Sequence, residues 1–301
     1  MSDTLASLRH KISGAADLKS VVRSMKALAA SSIGQYEKSV LALADYDRTV
    51  ELGLAVCLRN HEAAAEQAAR PGASAKAVSA IVFGSDQGLV GQFNDVLAEF
   101  VAKTIDPLPG EKKVWAVGGR VQSRLADAGL PTVGLFTVPT SVGAITPLVG
   151  QIVVEIESHH QKGEIVQLYL FHNRPKAGAA YEPVSQHLLP LDAQWGHRLS
   201  HLPWPSKNPP EILGDREQTL RALVREYLFV SLYKACAESL AAENASRLAA
   251  MQRAEKNIDD LVGSLNQTFR RLRQTSIDEE LFDVLSGYES LSKGRASRGA
   301  K

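Results

Sequence analysis

The sequence predicts an α/β protein in which an antiparallel coiled coil of the N- and C-terminal helices carries a head built on a mostly parallel sheet. Three observations predict it. All thirteen prolines of the 301-residue chain lie between Pro71 and Pro210. Proline inside a helix costs about 3 kcal/mol, so the flanks, residues 3–60 and 211–290, are free to run as long helices. Both flanks place apolar or small residues at alternating steps of three and four, the seam of a coiled coil. Between the flanks, short β-branched runs alternate with helical ones, the pattern of strands joined by right-handed crossovers. The chain divides into an N-terminal helix (1–70), a head with its linker (71–210), and a C-terminal helix and tail (211–301). A shaft carrying a head is a mechanical part before it is an enzyme.

On the first flank the seam reads Leu5, Leu8, Ile12, Ala15, Val22, Met25, Ala29, Ser32, Tyr36, Val40 and Leu43. Several of these knobs are Ala or Ser, which admit close approach but bury little area each. The head follows with strands at 78–83, 114–117, 133–138 and 165–171, and a fifth at 181–189. Helices are expected at 94–104, 120–128 and 145–158. Residues 194–210, with Pro203-Trp204-Pro205 and Pro209-Pro210, form the linker. The second flank opens on a broad apolar face (Leu220, Leu223, Tyr227, Leu228, Leu232, Leu240) and narrows to Leu248, Met251, Ile258, Val262, Leu265, Phe269 and Leu272.

Composition narrows the function. A formal charge of +1 creates no global field for nucleic acid or an anionic membrane. No eighteen-residue apolar run spans a membrane, and the opening MSDTLASLRHKISG is neither a signal nor a transit peptide. Two cysteines without CxxC spacing, Cys57 and Cys236, form neither a disulfide framework nor a zinc site.

Little in the sequence points to catalysis. Gly84-Ser85-Asp86-Gln87-Gly88-Leu89-Val90-Gly91 sits between a strand and a helix, where a phosphate loop would lie. It lacks Gly-Lys-Ser/Thr and the GxGxxG spacing, which favours a tight turn with Asp86 tied to local backbone amides. His159 and His160 are adjacent and point to different sides of a helix. His197 and His201 share i, i+4 spacing but lie in the linker, with no Cys or carboxylate cluster near them. No nucleophile motif or carboxylate pair stands out. No metal and no cofactor is expected.

One charge feature rises above background. Residues 247–273 carry six basic side chains, Arg247, Arg253, Lys256, Arg270, Arg271 and Arg273, against three acidic ones. The first flank adds Arg9, Lys11, Lys19, Arg23 and Lys26. Taken singly these are solvated surface; taken as bands they suit an acidic protein surface around a rod. Nucleic acid is disfavoured, because no aromatics are interleaved.

Four groups of residues resemble one family. Leu8-Arg9-His10-Lys11-Ile12, with Val21 to Met25 and Ala29-Ala30-Ser31, is similar to an IRxKI…ITKAM opening helix. Ser85 to Asn94 is close to SDRGLCGxxN. His172-Asn173 and Leu188-Leu189-Pro190 stand where the family has YN and LLP. Glu243-Asn244-Ala245-Ser246-Arg247-Leu248 with Met251, Asn257 and Arg273 to Ile277 resembles ENASRMxAM…RQAxIT. The family is the gamma subunit of the F-type rotary ATP synthase. Departures at Asp278, Tyr288 and Gln87 mark a divergent bacterial branch. Of two rival classes, a coiled-coil adaptor explains the rods but not the four motifs, and a small α/β enzyme on helical arms requires a ligand bound at Gly84 to Gly91.

The resemblance implies a Rossmann-like head without nucleotide. It also implies a coil inside a hexamer of alpha and beta subunits, with the epsilon subunit and the membrane c-ring as further partners. The place implied is the cytoplasmic face of the bacterial inner membrane, without insertion. Arg273 and Gln274 match contacts to an acidic catch loop of the catalytic subunit. Arg23, Met25 and Lys26 match a coupling face that packs near Glu280. A guanidinium suits such work because it forks onto a carboxylate while keeping its charge.

Overall fold

The structure is a computed structural model describing residues 4–58, 77–176, 179–191, 199, 202–208 and 210–298. His197, His201 and much of the expected linker lie outside the described residues. The chain groups into two compact units, Met1–Ala27 with Met251–Lys301, and Leu28–Ala250. Two long helices contribute to both: α1 (Leu5–Leu58) and α5 (Arg216–Arg298).

In the first unit, Thr4 Oγ1 accepts from Ser7 N–H at 3.2 Å and so caps α1. Buried and half-buried positions of α1 then follow the expected seam, with Leu8 and Ala15 at its centre. The facing stretch of α5 shows the same beat at Met251, Ile258, Val262, Leu265, Phe269 and Leu272. The two run antiparallel. Ten residues up α1, from Arg9 to Lys19, correspond to ten back along α5, from Phe269 to Asp259.

The second unit is a three-layer α/β body. Its strands are β1 (Ala77–Phe83), β2 (Glu111–Val117), β3 (Thr132–Phe136), β4 (Gln167–Lys176) and β5 (Ala179–Leu189). They lie in the order β3-β2-β1-β4-β5. The first four are parallel, and β5 returns antiparallel on β4. Helices α2 (Phe93–Ile105) and α3 (Gly119–Asp127) cover one face through Leu97, Val101, Val121 and Leu125 against Val78, Ala80 and Val82. The other face, with Ile81, Phe83, Leu168 and Leu170, packs on α4 (Ile145–Gln161) and on stretches of α1 and α5. β3 is one edge of the sheet, with Val133 and Leu135 about half exposed.

Two glycines hold the carboxyl ends of β1 and β2 together. A Cβ on Gly84 would lie 2.3 Å from the Val121 side chain, and one on Gly118 would lie 2.7 Å from the Ser85 backbone. Gly118 also has φ +118°, in the region that favours glycine.

Candidate functional site

Two places carry the residues singled out by sequence. The first is the helix pair of the first unit. Glu255 of α5 accepts from Arg23 Nε at 2.9 Å and from the Lys26 ammonium. Those cations, Lys26 before Arg23, hold its carboxyl down at about 2. Lys19 pairs in the same way with Asp259. Lys19 and Lys26 occupy seam positions seven residues apart, so this stretch of seam is charged where apolar knobs are the rule.

This register corrects one expectation. Arg23 and Lys26 close on Glu255, and Glu280 lies 25 residues further along the same helix, about 37 Å away at 1.5 Å per residue. Glu280 is also eleven residues past Phe269, whereas α1 extends only four residues before Arg9. The first helix has run out before that level. Met25 is half-buried beside Lys26, and Glu280, Arg273 and Gln274 are all exposed. Arg9 lies 5.4 Å over the Phe269 ring. Sequence periodicity could not have found this register, because sliding one helix by seven residues preserves the pattern.

The second place is where α5 meets the 84–94 loop. Asp86 has backbone partners, but they are distant in sequence. Its Oδ1 accepts from Gly119 N–H at 2.7 Å and its Oδ2 from Val138 N–H at 2.8 Å. Its carboxylate therefore sits at the start of α3, where a phosphate would seek the helix dipole. The loop is folded on itself: Asn94 Nδ2 donates to Ser85 Oγ at 2.8 Å, and Asn94 Oδ1 accepts from Ser85 N–H at 3.1 Å. Leu89 forms its outward tip with φ +64°.

Helix α5 closes over this loop. Ser239 Oγ donates to the Phe83 carbonyl at 3.1 Å and Ser246 Oγ to the Val90 carbonyl at 2.6 Å. His172 Nε2 lies 2.8 Å from Glu238 Oε2, and Asn173 Nδ2 donates to the Phe93 carbonyl at 2.9 Å. Three of the four motif groups thus come together here. Within α5, Arg247 Nη2 bonds Glu243 Oε1 at 2.6 Å. Burial nevertheless raises the Glu243 carboxyl, outweighing the Arg247 cation. Burial likewise raises the thiols of Cys236 and Cys57 and the phenol of Tyr36. Ser239 and Glu238 escaped sequence reasoning, and Ser246 entered only as a member of the Glu243–Leu248 motif, with no contact assigned to it; the signal for Ser239 was small residues at steps of three and four on one face of α5.

His159 sits between two carboxylates, Nδ1 to Glu164 at 2.7 Å and Nε2 to Glu155 at 3.1 Å. His160 instead places Nδ1 3.3 Å from the Ile165 carbonyl. Among the described residues no helix is long and apolar enough to cross a membrane.

A family model described as ATP synthase matches residues 4–291. The ATP synthase gamma chain of Anaeromyxobacter sp. (strain Fw109-5) is 25% identical over 299 residues, covering 96% of this chain and 99% of its own length. That of Synechococcus sp. (strain PCC 6716) is 28% identical, covering 95% and 99%. Among solved structures, a chain of the Euglena gracilis mitochondrial ATP synthase (OSCP/F1/c-ring, rotational state 3) superposes with a TM-score of 0.63 at 14% identity, covering 97% of this chain and 95% of that one. A chain of the Tetrahymena thermophila mitochondrial ATP synthase central stalk and c-ring gives 0.57 at 20% identity, covering 78% and 99%. The structural likenesses give the fold.

Proposed function

The chain belongs to the ATP synthase family, and from that premise we propose that it is the central-stalk rotor subunit of a rotary F-type complex, coupling ion flow through the membrane ring to ATP synthesis or hydrolysis in the catalytic hexamer. The observation that carries this is the exposed end of α5. Ile277, Leu281, Phe282, Val284, Leu285 and Tyr288 are all large, apolar and exposed, Phe282 by 73% and Tyr288 by 72%. A helix end so loaded with bare apolar surface suits enclosure by a protein sleeve.

Just before it, Arg273 and Gln274 stand exposed, available to an acidic loop of the catalytic subunit. Such contacts are remade at each angle of a rotation, so solvated bridges of modest strength suit them better than dry ones. In the coupling face of Arg23, Met25 and Lys26, the two cations are already engaged by Glu255, so a partner there meets charge that is partly spent.

We read the chain as contributing no catalytic group and no cofactor site of its own. Support comes from the start of α3, where the Asp86 carboxylate fills the position and would repel a phosphate. The division of labour is an N-terminal segment (1–70) carrying α1, a head (71–210) and a C-terminal segment (211–301) carrying α5. The alpha and beta subunits surround the coil, and the epsilon subunit and c-ring meet the head at the cytoplasmic face of the inner membrane.

Co-expression tests the reading. The purified chain should hydrolyse no ATP alone and should co-purify with catalytic-type subunits. A cysteine at Phe282 bridged to the surrounding ring should stop turnover until the bridge is reduced. A chain that stays monomeric in the presence of every partner subunit would sink the proposal.

A further inference from the structure

We infer that the contact between α5 and the 84–94 loop is the joint through which twist passes between helix and sheet, with Ser239, Ser246 and the His172–Glu238 pair as its positioning residues. The inference rests on the rotor reading above. Torque handed from a helix to a sheet is limited by the most compliant contact on its path. A long side chain with several rotatable bonds yields under load; a serine has a single side-chain torsion and little slack.

The α5 face toward the loop is built from short side chains. Ser239, Ala242 and Ser246 follow one another at steps of three and four and are 3%, 0% and 6% exposed. The first hydroxyl holds the last carbonyl of β1, and the last holds the carbonyl of Val90. Between them Ala242 packs with Val90 and Phe93 in an apolar cluster of their own. The Phe93 ring stands edge-on to Tyr181 of β5 at 5.1 Å. The Phe93 carbonyl receives the Asn173 amide of β4, and the neighbouring His172 reaches Glu238.

Over the stretch from Glu238 to Ser246, about two helical turns, α5 is therefore tied to β1, to β4 and to the loop leaving β1. Ties to different strands at different heights resist rotation about the helix axis as well as sliding along it. Burial removes water that would compete for these bonds, so they stay made under load.

The test uses the assembled complex in membrane vesicles, reading ions pumped per ATP hydrolysed. The Ser239→Ala, Ser246→Ala double variant should assemble and hydrolyse ATP but lose about twofold or more of that ratio. Adding Val90→Cys with Ala242→Cys, two residues of one buried cluster, should restore the ratio when oxidised and lose it again on reduction. Should the double variant fail to assemble, Glu238→Gln alone carries the test, with a smaller fall in the same ratio. A wild-type ratio in whichever variant assembles overturns the joint. Failure of the unaltered chain to enter the complex would instead overturn the rotor reading, so the two failures are distinguishable.

Discussion

Glu243 and Glu255 sit twelve residues apart on one helix, each bonded to a cation, and their carboxyls move in opposite directions. Glu243 is raised because it is buried, and Arg247 offsets only part of that cost. Glu255 is held at about 2 because Lys26 and Arg23 reach it where solvent still helps. From Tyr227 to Ser246, α5 is enclosed on nearly all sides, its run Ala-Ala-Glu-Asn-Ala-Ser being small enough to let neighbours close in. Beyond Met251 no described position is fully buried, and only a narrow seam is half-covered. The difference teaches that an ion pair is a statement about its surroundings: in the second unit it compensates a burial cost, in the first it sets a register.

The largest break of that contrast is Phe93→Ala, which empties the centre of the loop cluster. It should cost about 3–5 kcal/mol, seen as a lowered denaturant midpoint. Arg247→Met comes next, since it strands a buried carboxylate at about 3 kcal/mol. Its sign with pH separates it from ordinary core damage. The Glu243 carboxyl is already raised in the fold, so its neutral form is favoured there. Without Arg247 the variant should regain stability as pH drops toward the ordinary carboxylate range, and lose it as pH rises through the raised value.

Asp86→Ala should have an intermediate effect. It orphans the Gly119 and Val138 amides and should cost about 1–3 kcal/mol, with faster hydrogen exchange at those two amides as the specific readout. The first unit should give the smallest effects. Lys19→Ala should cost about 0.2–1 kcal/mol and vanish in high salt.

Acid probes the same unit. The contribution of Glu255 is complete above the usual carboxylate range and is lost as pH falls toward about 2. Cysteines at Ala15 and Val262, level with each other in this register, should cross-link readily near neutrality and less in acid. Cysteines at Met25 and Leu281 should not cross-link at all. Efficient bridging of that second pair would refute the register.

Much of the fold was legible because its patterns are local. The heptad seam from Leu5 to Leu43, the β-branched runs and the banishment of proline each bias the backbone within a few residues. The register of the helix pair was not legible. Its knobs are small, every shift of seven preserves the seam, and Lys19 and Lys26 choose among shifts only by meeting Asp259 and Glu255. Asp86 read as a local turn residue for the same reason: its partners stand 33 and 52 residues away. Ser239 and Ser246 are small polar residues whose hydroxyls acquire partners only when the carboxyl end of β1 and the loop after it lie within reach.

The edge strand β3 has a consequence for the life of the chain before assembly. Residues 132–136, Thr-Val-Gly-Leu-Phe, contain no charge and no proline. One side of the strand pairs with β2, and among the described residues no strand lies beyond it. Such an edge invites a second copy to extend the sheet. Made in excess of its partners, the chain is expected to accumulate as insoluble aggregate. A lysine at Val133 should raise the soluble yield of the orphan subunit, so for this protein stoichiometric synthesis would also be a matter of proteostasis.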